Sequence, residues 1–168
     1  MSEKKELTAE EVKKAIIKGE NNFRRTTING HLDLRGLTIN RGLILDEASI
    51  QGHVSLIEAV VERNLSFVKA SIGKGVFLTN ATIKWNLDFS EAMIGKHLDL
   101  EGATIQGSFY LSDATIEDFL NLVKTTIESD LNLATKKGPR IILVSPEMAQ
   151  LVHWSAPTVP LMIIKEKQ

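Results

Sequence analysis

The chain lacks cysteine altogether and is poor in aromatic residues, with six Phe, two Trp and one Tyr among 168 residues. Without cysteine it forms no disulfide framework, no thiolate metal site and no cysteine nucleophile. It also lacks an excess of either charge, since 20 Lys and Arg face 21 Asp and Glu for a net of −1. That balance excludes a disordered polyelectrolyte and a strongly basic nucleic-acid binder. No apolar run approaches the roughly 18 residues of a membrane span, and the opening MSEKKELTAEEV is too charged for a secretory signal. The expectation is one domain with small appendages, cytoplasmic and without membrane contact.

What the chain does have is repetition. From Phe23 to Leu133 the sequence repeats every 11 residues without an insertion. One column reads Phe23, Leu34, Leu45, Leu56, Phe67, Leu78, Phe89, Leu100, Leu111, Leu122 and Leu133. A second, two residues earlier, runs from Leu32 through Val54 and Leu87 to Leu131, and a third from Ile28 through Val61 to Ile127. A fourth holds seven alanines in succession, Ala48 to Ala114. The unit is L-x-L-x-x-A-x-I-x-x-x.

An 11-residue period also suits a right-handed helical coiled coil, but the residues argue against that. L-x-L and A-x-I are period-2 pairs, as in strands whose alternate side chains face one interior. Ile dominates one column, and Thr or Ser stands between Ala and Ile (Ser49, Ser71, Thr82, Thr104, Thr115), a β-favouring composition. The residue before the first Leu is a turn type almost throughout: His31, Gly42, His53, Asn64, Gly75, Asn86, His97, Ser108, Asp130. The expectation is that this corner takes the left-handed conformation that Gly and Asn tolerate.

Short strands joined by tight corners and stacked coil on coil make a parallel β-solenoid. One 11-residue unit supplies two sides, so two units close a four-sided coil and residues 23–133 hold about five coils. Open ends need caps. Residues 1–22 carry the sequence Thr8-Ala9-Glu10-Glu11, a capping box opening a helix with an apolar face of Val12, Ala15 and Ile16 that ends near Gly19. Residues 134–168 read as a small strand-helix-strand cap or oligomerisation segment. Its strands are Arg140–Val144 and Leu161–Ile164, and its helix starts at Ser145-Pro146-Glu147 and runs to about Trp154.

Ala-x-Ile followed by two spacers resembles the unit of pentapeptide-repeat proteins, in which a small residue stands two places before a central Leu, Ile or Phe. The resemblance covers about two thirds of the chain and implies a right-handed four-sided parallel β-helix. This chain departs from it by one extra residue on every second side. DNA-mimicking topoisomerase regulators are the best-known branch of that family. L-x-L-x-x-A-x-I also looks like half a leucine-rich repeat, but the Asn ladder and the longer convex segment are missing. Hexapeptide left-handed helices have the wrong period.

Candidate sites are few. His31, His53 and His97 share a column at 22-residue spacing, with Asp33 and Ser55 beside the first two, yet no carboxylate set completes a metal sphere. Thr38, Val60, Thr82, Thr104 and Thr126 form a hydroxyl column that Val60 breaks, as ordinary β-propensity explains. Arg41, Arg63 and Trp85 are also 22 apart, so Arg63 is expected over the Trp85 ring. With Trp154 and Met162, these three make the candidate interaction surface. No His pairs with a Ser in a catalytic motif, no glycine loop cradles phosphate, and no insertion hosts a lyase site.

No catalytic residue, cofactor or metal is therefore expected. Residues 23–86 carry eight Lys/Arg and five Asp/Glu, whereas residues 87–133 carry two and nine. The rod is polarised along its axis. The reading is a non-catalytic structural or protein-interaction module, expected to form a homodimer through its C-terminal segment and to bind no nucleic acid directly. The alternative is a DNA-mimic regulator that acts through its acidic half.

Overall fold

A computed structural model describes residues 5–149 and 161–163. It is a parallel β-solenoid in which the strands from Thr27–Asn29 to Ile141–Val144 pair at an offset of 22 residues, as in Leu43↔Leu65, Val76↔Leu98 and Ile83↔Ile105. The two terminal strands join at offsets of 21 (Glu6↔Thr27) and 19 (Ile142↔Leu161). The chain visits four sheets in turn. The first side is built from Leu32–Asp33, Val54–Ser55, Val76–Phe77, Leu98–Asp99 and Phe119–Leu122. The second runs from Thr38–Ile39 to Thr126–Ile127, the third from Leu43–Ile44 to Leu131–Asn132, and the fourth from Thr27–Asn29 to Thr115–Ile116. A 22-residue coil therefore places Leu45 in line with Phe67 and not with Leu56.

Two residues per strand are enough here because each backbone group bonds to the next coil. Leu45 N donates to Ser66 O at 2.8 Å, and Thr82 N donates to Ala59 O at 2.9 Å. Inside, the repeated columns fill the lumen. Leu34, Leu56, Leu78, Leu100 and Leu122 are fully buried, and the Phe67 and Phe89 rings stack at 4.6 Å with 2° between their planes. Ala59, Ala81 and Ala103 are buried in one line, and Thr125 ends that line with its hydroxyl bonded to Leu100 O at 2.8 Å. The capped polar atom explains why a hydroxyl is tolerated there.

The left-handed corner is not where the sequence pattern suggested. It falls on the residue just before the alanine column, which Thr26, Leu37 and Thr125 also occupy: Arg25, Gly36, Glu47, Glu58, Lys69, Asn80, Glu91, Gly102, Asp113 and Lys124, with φ between +55° and +66°. Each is the third residue of a four-residue turn closed by a bond from the fourth N–H to the first C=O at 2.9–3.3 Å, the geometry of type II turns. Glycine occurs at the other corner for a different reason, which is the closeness of the next coil. A Cβ on Gly42 would lie 2.7 Å from Asn64 O. Asn64 and Asn86 sit there because each side-chain oxygen accepts the backbone N–H of the corner above, Asn64 from Asn86 at 3.0 Å and Asn86 from Ser108 at 2.9 Å.

The termini extend the solenoid further than five coils. Among the described residues the second and third sides hold five strands each, the fourth has six and the first has seven, so the rod counts about seven turns on its longest side. At the strand spacing of ~4.8 Å that side is about 30 Å long. Glu6–Thr8, which the repeat did not foretell, joins the fourth side beside Thr27–Asn29. Helix Ala9–Ile17 follows it, opened by the expected capping box, in which Thr8 Oγ1 accepts from Glu11 N at 3.2 Å and Glu11 Oε2 from Thr8 N at 2.8 Å. Val12 and Ile16 are its buried residues, as the apolar face required.

At the other end, Ile141–Val144 and Leu161–Ile163 form no separate strand-helix-strand cap. They pair in parallel onto the first side, with Leu120↔Ile142 and then Ile142↔Leu161 in register. Ile142 and Val144 repeat the inward alternation of the columns, which is why they continue the sheet. Residues 146–149 are helical, and the rest of the expected helix, including Trp154, lies outside the described residues. Among the described residues no helix is long and apolar enough to cross a membrane.

Two substitutions test this packing by chemical denaturation. Ala81→Leu overpacks a line of methyl groups and is expected to cost about 1–3 kcal/mol. An Ala81→Leu chain as stable as the parent would remove the inward alanine line. Glu58→Gly relieves a left-handed non-glycine corner and is expected to stabilise by roughly 0.5–1 kcal/mol, net of the added freedom of the unfolded chain. A loss of stability would place the strain elsewhere.

Candidate functional site

The outer surface of the first side carries the densest cluster of chemically versatile side chains. The 22-residue register brings His31 and His53 together as expected, with ring centroids 4.0 Å apart and planes 15° from parallel. Gly75 interrupts the histidine column at the next coil. Phe77, two residues further along the same strand, fills the gap by placing its ring edge-on to His53 at 5.7 Å and to His97 at 4.9 Å. His97 then stacks on Phe119 at 4.8 Å. The result is a continuous ladder of five rings. A side chain at Gly75 would break it, since a Cβ there would stand 2.9 Å from His97 Nε2.

Hydrogen bonds fix the first rings. His31 Nδ1 accepts the His53 backbone N–H at 3.1 Å, so neutral His31 carries its proton on Nε2. Asp33, two residues beyond His31, is clamped by Arg35. Its Oδ1 accepts from Arg35 N at 3.1 Å and from Nε at 2.9 Å, and its Oδ2 accepts from Nη2 at 2.8 Å. That bidentate pair holds the Asp33 carboxyl down at a pKa of about 2, with Lys13 adding to the effect. Burial is the main cause that pushes His53 below the ordinary imidazole value, helped by His31, Lys74 and Arg35 and opposed by Asp33.

Ser55 stands between Asp33 and Phe77 in the outward column of this side. It is 95% buried, counting its 5% exposure, and its Oγ has no hydrogen-bond partner. These residues line a concavity of about 410 Å³, with Ile57 on its apolar side. Among the described residues no group of three or more His, Cys, Asp or Glu is arranged to hold a metal ion. Sequence spacing located His31, His53, Asp33 and Ser55. It missed Phe77 and Arg35, whose contacts run between columns or within a turn and leave no periodic signal.

The other candidate surface is split. Arg63 lies over Trp85 with its guanidinium carbon 5.8 Å from the ring centroid, as the spacing required, and Arg41 is exposed one coil below. Trp85 is 55% exposed at the corner between the second and third sides. Met162 is exposed on the last strand of the first side, so the structure does not bring it to that corner. Trp154 lies outside the described residues. No family model, curated protein or solved structure matches the chain.

The burial of His53 is expected to make stability depend on pH. Because the folded chain holds His53 below its ordinary value near 6.5, the unfolded chain takes up more protons as the pH falls through that value. Stability is expected to be fully present above the ordinary imidazole range and to decline below it. His53→Phe keeps a ring between His31 and Phe77 but removes the titration, so the decline between pH 7 and 5 should flatten, about the range in which imidazoles titrate. Parent and variant melting curves with the same acid slope would show that His53 is not its source.

Proposed function

We propose that this chain is a non-catalytic interaction module, a right-handed rod of the pentapeptide-repeat kind that self-associates through its C-terminal strand. Its lumen is filled by Leu, Ile, Phe and Ala, so what it offers other molecules is its outer surface and its ends. One observation carries the reading. Leu161–Ile163 pairs with Ile141–Val144 along one edge, and among the described residues no strand covers the other edge. Met162 and Ile163 stand 49% exposed on it. An apolar edge strand with free backbone groups is a template for another strand, and a second copy related by a two-fold axis is the simplest partner.

The acidic half of the rod favours this reading over mimicry of a nucleic acid. Asp88 is on the third side, Asp99 on the first, Glu117 beside the fourth and Glu128 beside the second, so the charge encircles the rod and makes no single stripe. Some of it is already paired, as Glu117 is with Lys137 at 2.5 Å and Glu91 with Lys69 at 3.4 Å. Sedimentation of the whole chain at micromolar concentration is expected to give the mass of two chains. Met162→Glu combined with Ile163→Lys should return it to one. A parent chain that sediments as a monomer would overturn self-association and leave the terminal strands as an extension of its own rod.

A further inference from the structure

The concavity on the first side holds more hydrogen-bond donors than the fold uses. Both oxygens of Asp33, the carboxylate that lines it, are taken by Arg35, which commits only part of its donor fork to them. His31 accepts at Nδ1, so its Nε2 presents a further N–H. Ser55 lines the same wall, and its hydroxyl lies buried behind it with no partner. An unpartnered buried polar atom is costly enough that its retention points to something that satisfies it. Lys13 and Lys74 also act on this cluster, the first on Asp33 and the second on His53, and both add positive charge.

A metal is the poorer occupant, because the nitrogen that His31 has free of its proton is already bonded to the His53 N–H. The remaining walls are apolar and flat. Phe77 stands at 87° to the His53 ring, and Ile57 lies on the turn beyond Ser55. Donors on one side and a ring on the other suit a molecule that is anionic at one end and planar at the other.

We propose that this concavity binds a small organic carboxylate with a flat apolar body, its carboxylate held by Arg35 and by the Ser55 hydroxyl turned outward about χ1 on binding, and its body laid against Phe77 and Ile57. Benzoate is the probe, and the imidazole C–H resonances of His31 and His53 are the reporters. Benzoate should shift them saturably, while acetate and inorganic phosphate at the same concentration should bind more weakly. Arg35 is exposed, so Arg35→Gln should leave folding intact and weaken benzoate binding about tenfold or more.

Ser55→Ala separates a ligand contact from a structural role. Removing an unpartnered buried hydroxyl should leave the free protein at least as stable as the parent, yet benzoate should bind it more weakly. Saturable shifts that weaken in both variants would support the site. Three results would each overturn it: no saturable benzoate shift, acetate or phosphate binding as tightly as benzoate, or a benzoate affinity unchanged in Arg35→Gln and Ser55→Ala.

Discussion

The structure depends on one constraint, the parallel backbone ladder that joins the strands of the repeat to those 22 positions on. Once that register is set, each side chain lies against its own column and little else. A column must then tolerate stacking on itself. Leu, Ile and Phe do so by dispersion, and the planes of the stacked Phe67 and Phe89 rings are within 2° of parallel. Alanine does so where two sides approach too closely for anything larger. Charged residues do so by alternating, as in the corner column Arg25, Glu47, Lys69 and Glu91, where Arg25 pairs with Glu47 at 2.7 Å and Lys69 with Glu91 at 3.4 Å. Such exposed pairs are worth little each, but they remove the repulsion that a column of one sign would build up.

The same constraint explains the ends. A ladder with identical rungs has no internal reason to stop, and its last rung exposes unpaired backbone groups. At the N-terminal end Glu6–Thr8 and helix Ala9–Ile17 lie against the fourth and first sides. At the C-terminal end the 11-residue unit is lost, yet Ile141–Val144 still pairs residue for residue with Phe119–Leu122. Inward alternation at Ile142 and Val144 suffices for that pairing. Among the described residues the sheet ladder thus outlasts the sequence repeat by two strands on the first side, and by a single bridge, Thr115↔Lys137, on the fourth.

How much of this could be read from sequence follows from what a period can encode. Column membership was legible, and with it the four sides, the 22-residue coil, the buried alanine line, the His31–His53 stack and the Arg63–Trp85 contact. The left-handed corner was misplaced because Gly and Asn were read as backbone signals. At Gly42 the cause is instead the nearness of Asn64, and at Asn64 and Asn86 it is the reach of a side-chain oxygen to the next coil. The residues that do take positive φ are mostly charged, and they carry no signature of it. Thr125 in an alanine position, Phe77 filling the space over Gly75 and the orphaned Ser55 hydroxyl were equally hidden, since each depends on a contact off its own column.

These hidden contacts share a physical origin. In a self-stacking fold a column that repeats has its neighbours already satisfied, with like packed on like and each donor paired with the acceptor above. Unsatisfied chemistry can therefore arise only where a column breaks. The first side breaks twice within two coils, at Gly75 among the histidines and at the Asp33, Ser55 and Phe77 step in the neighbouring column. Because the two columns are adjacent, the breaks fall beside each other and combine. A carboxylate consumed by its own Arg35, a hydroxyl left without a partner and a ring turned edge-on to the histidine stack all meet in one concavity. Outside it, the buried oxygen of Asn29 at the start of the fourth side is also left without a partner, but among the described residues only at the concavity does such a group meet a ring and a charged pair.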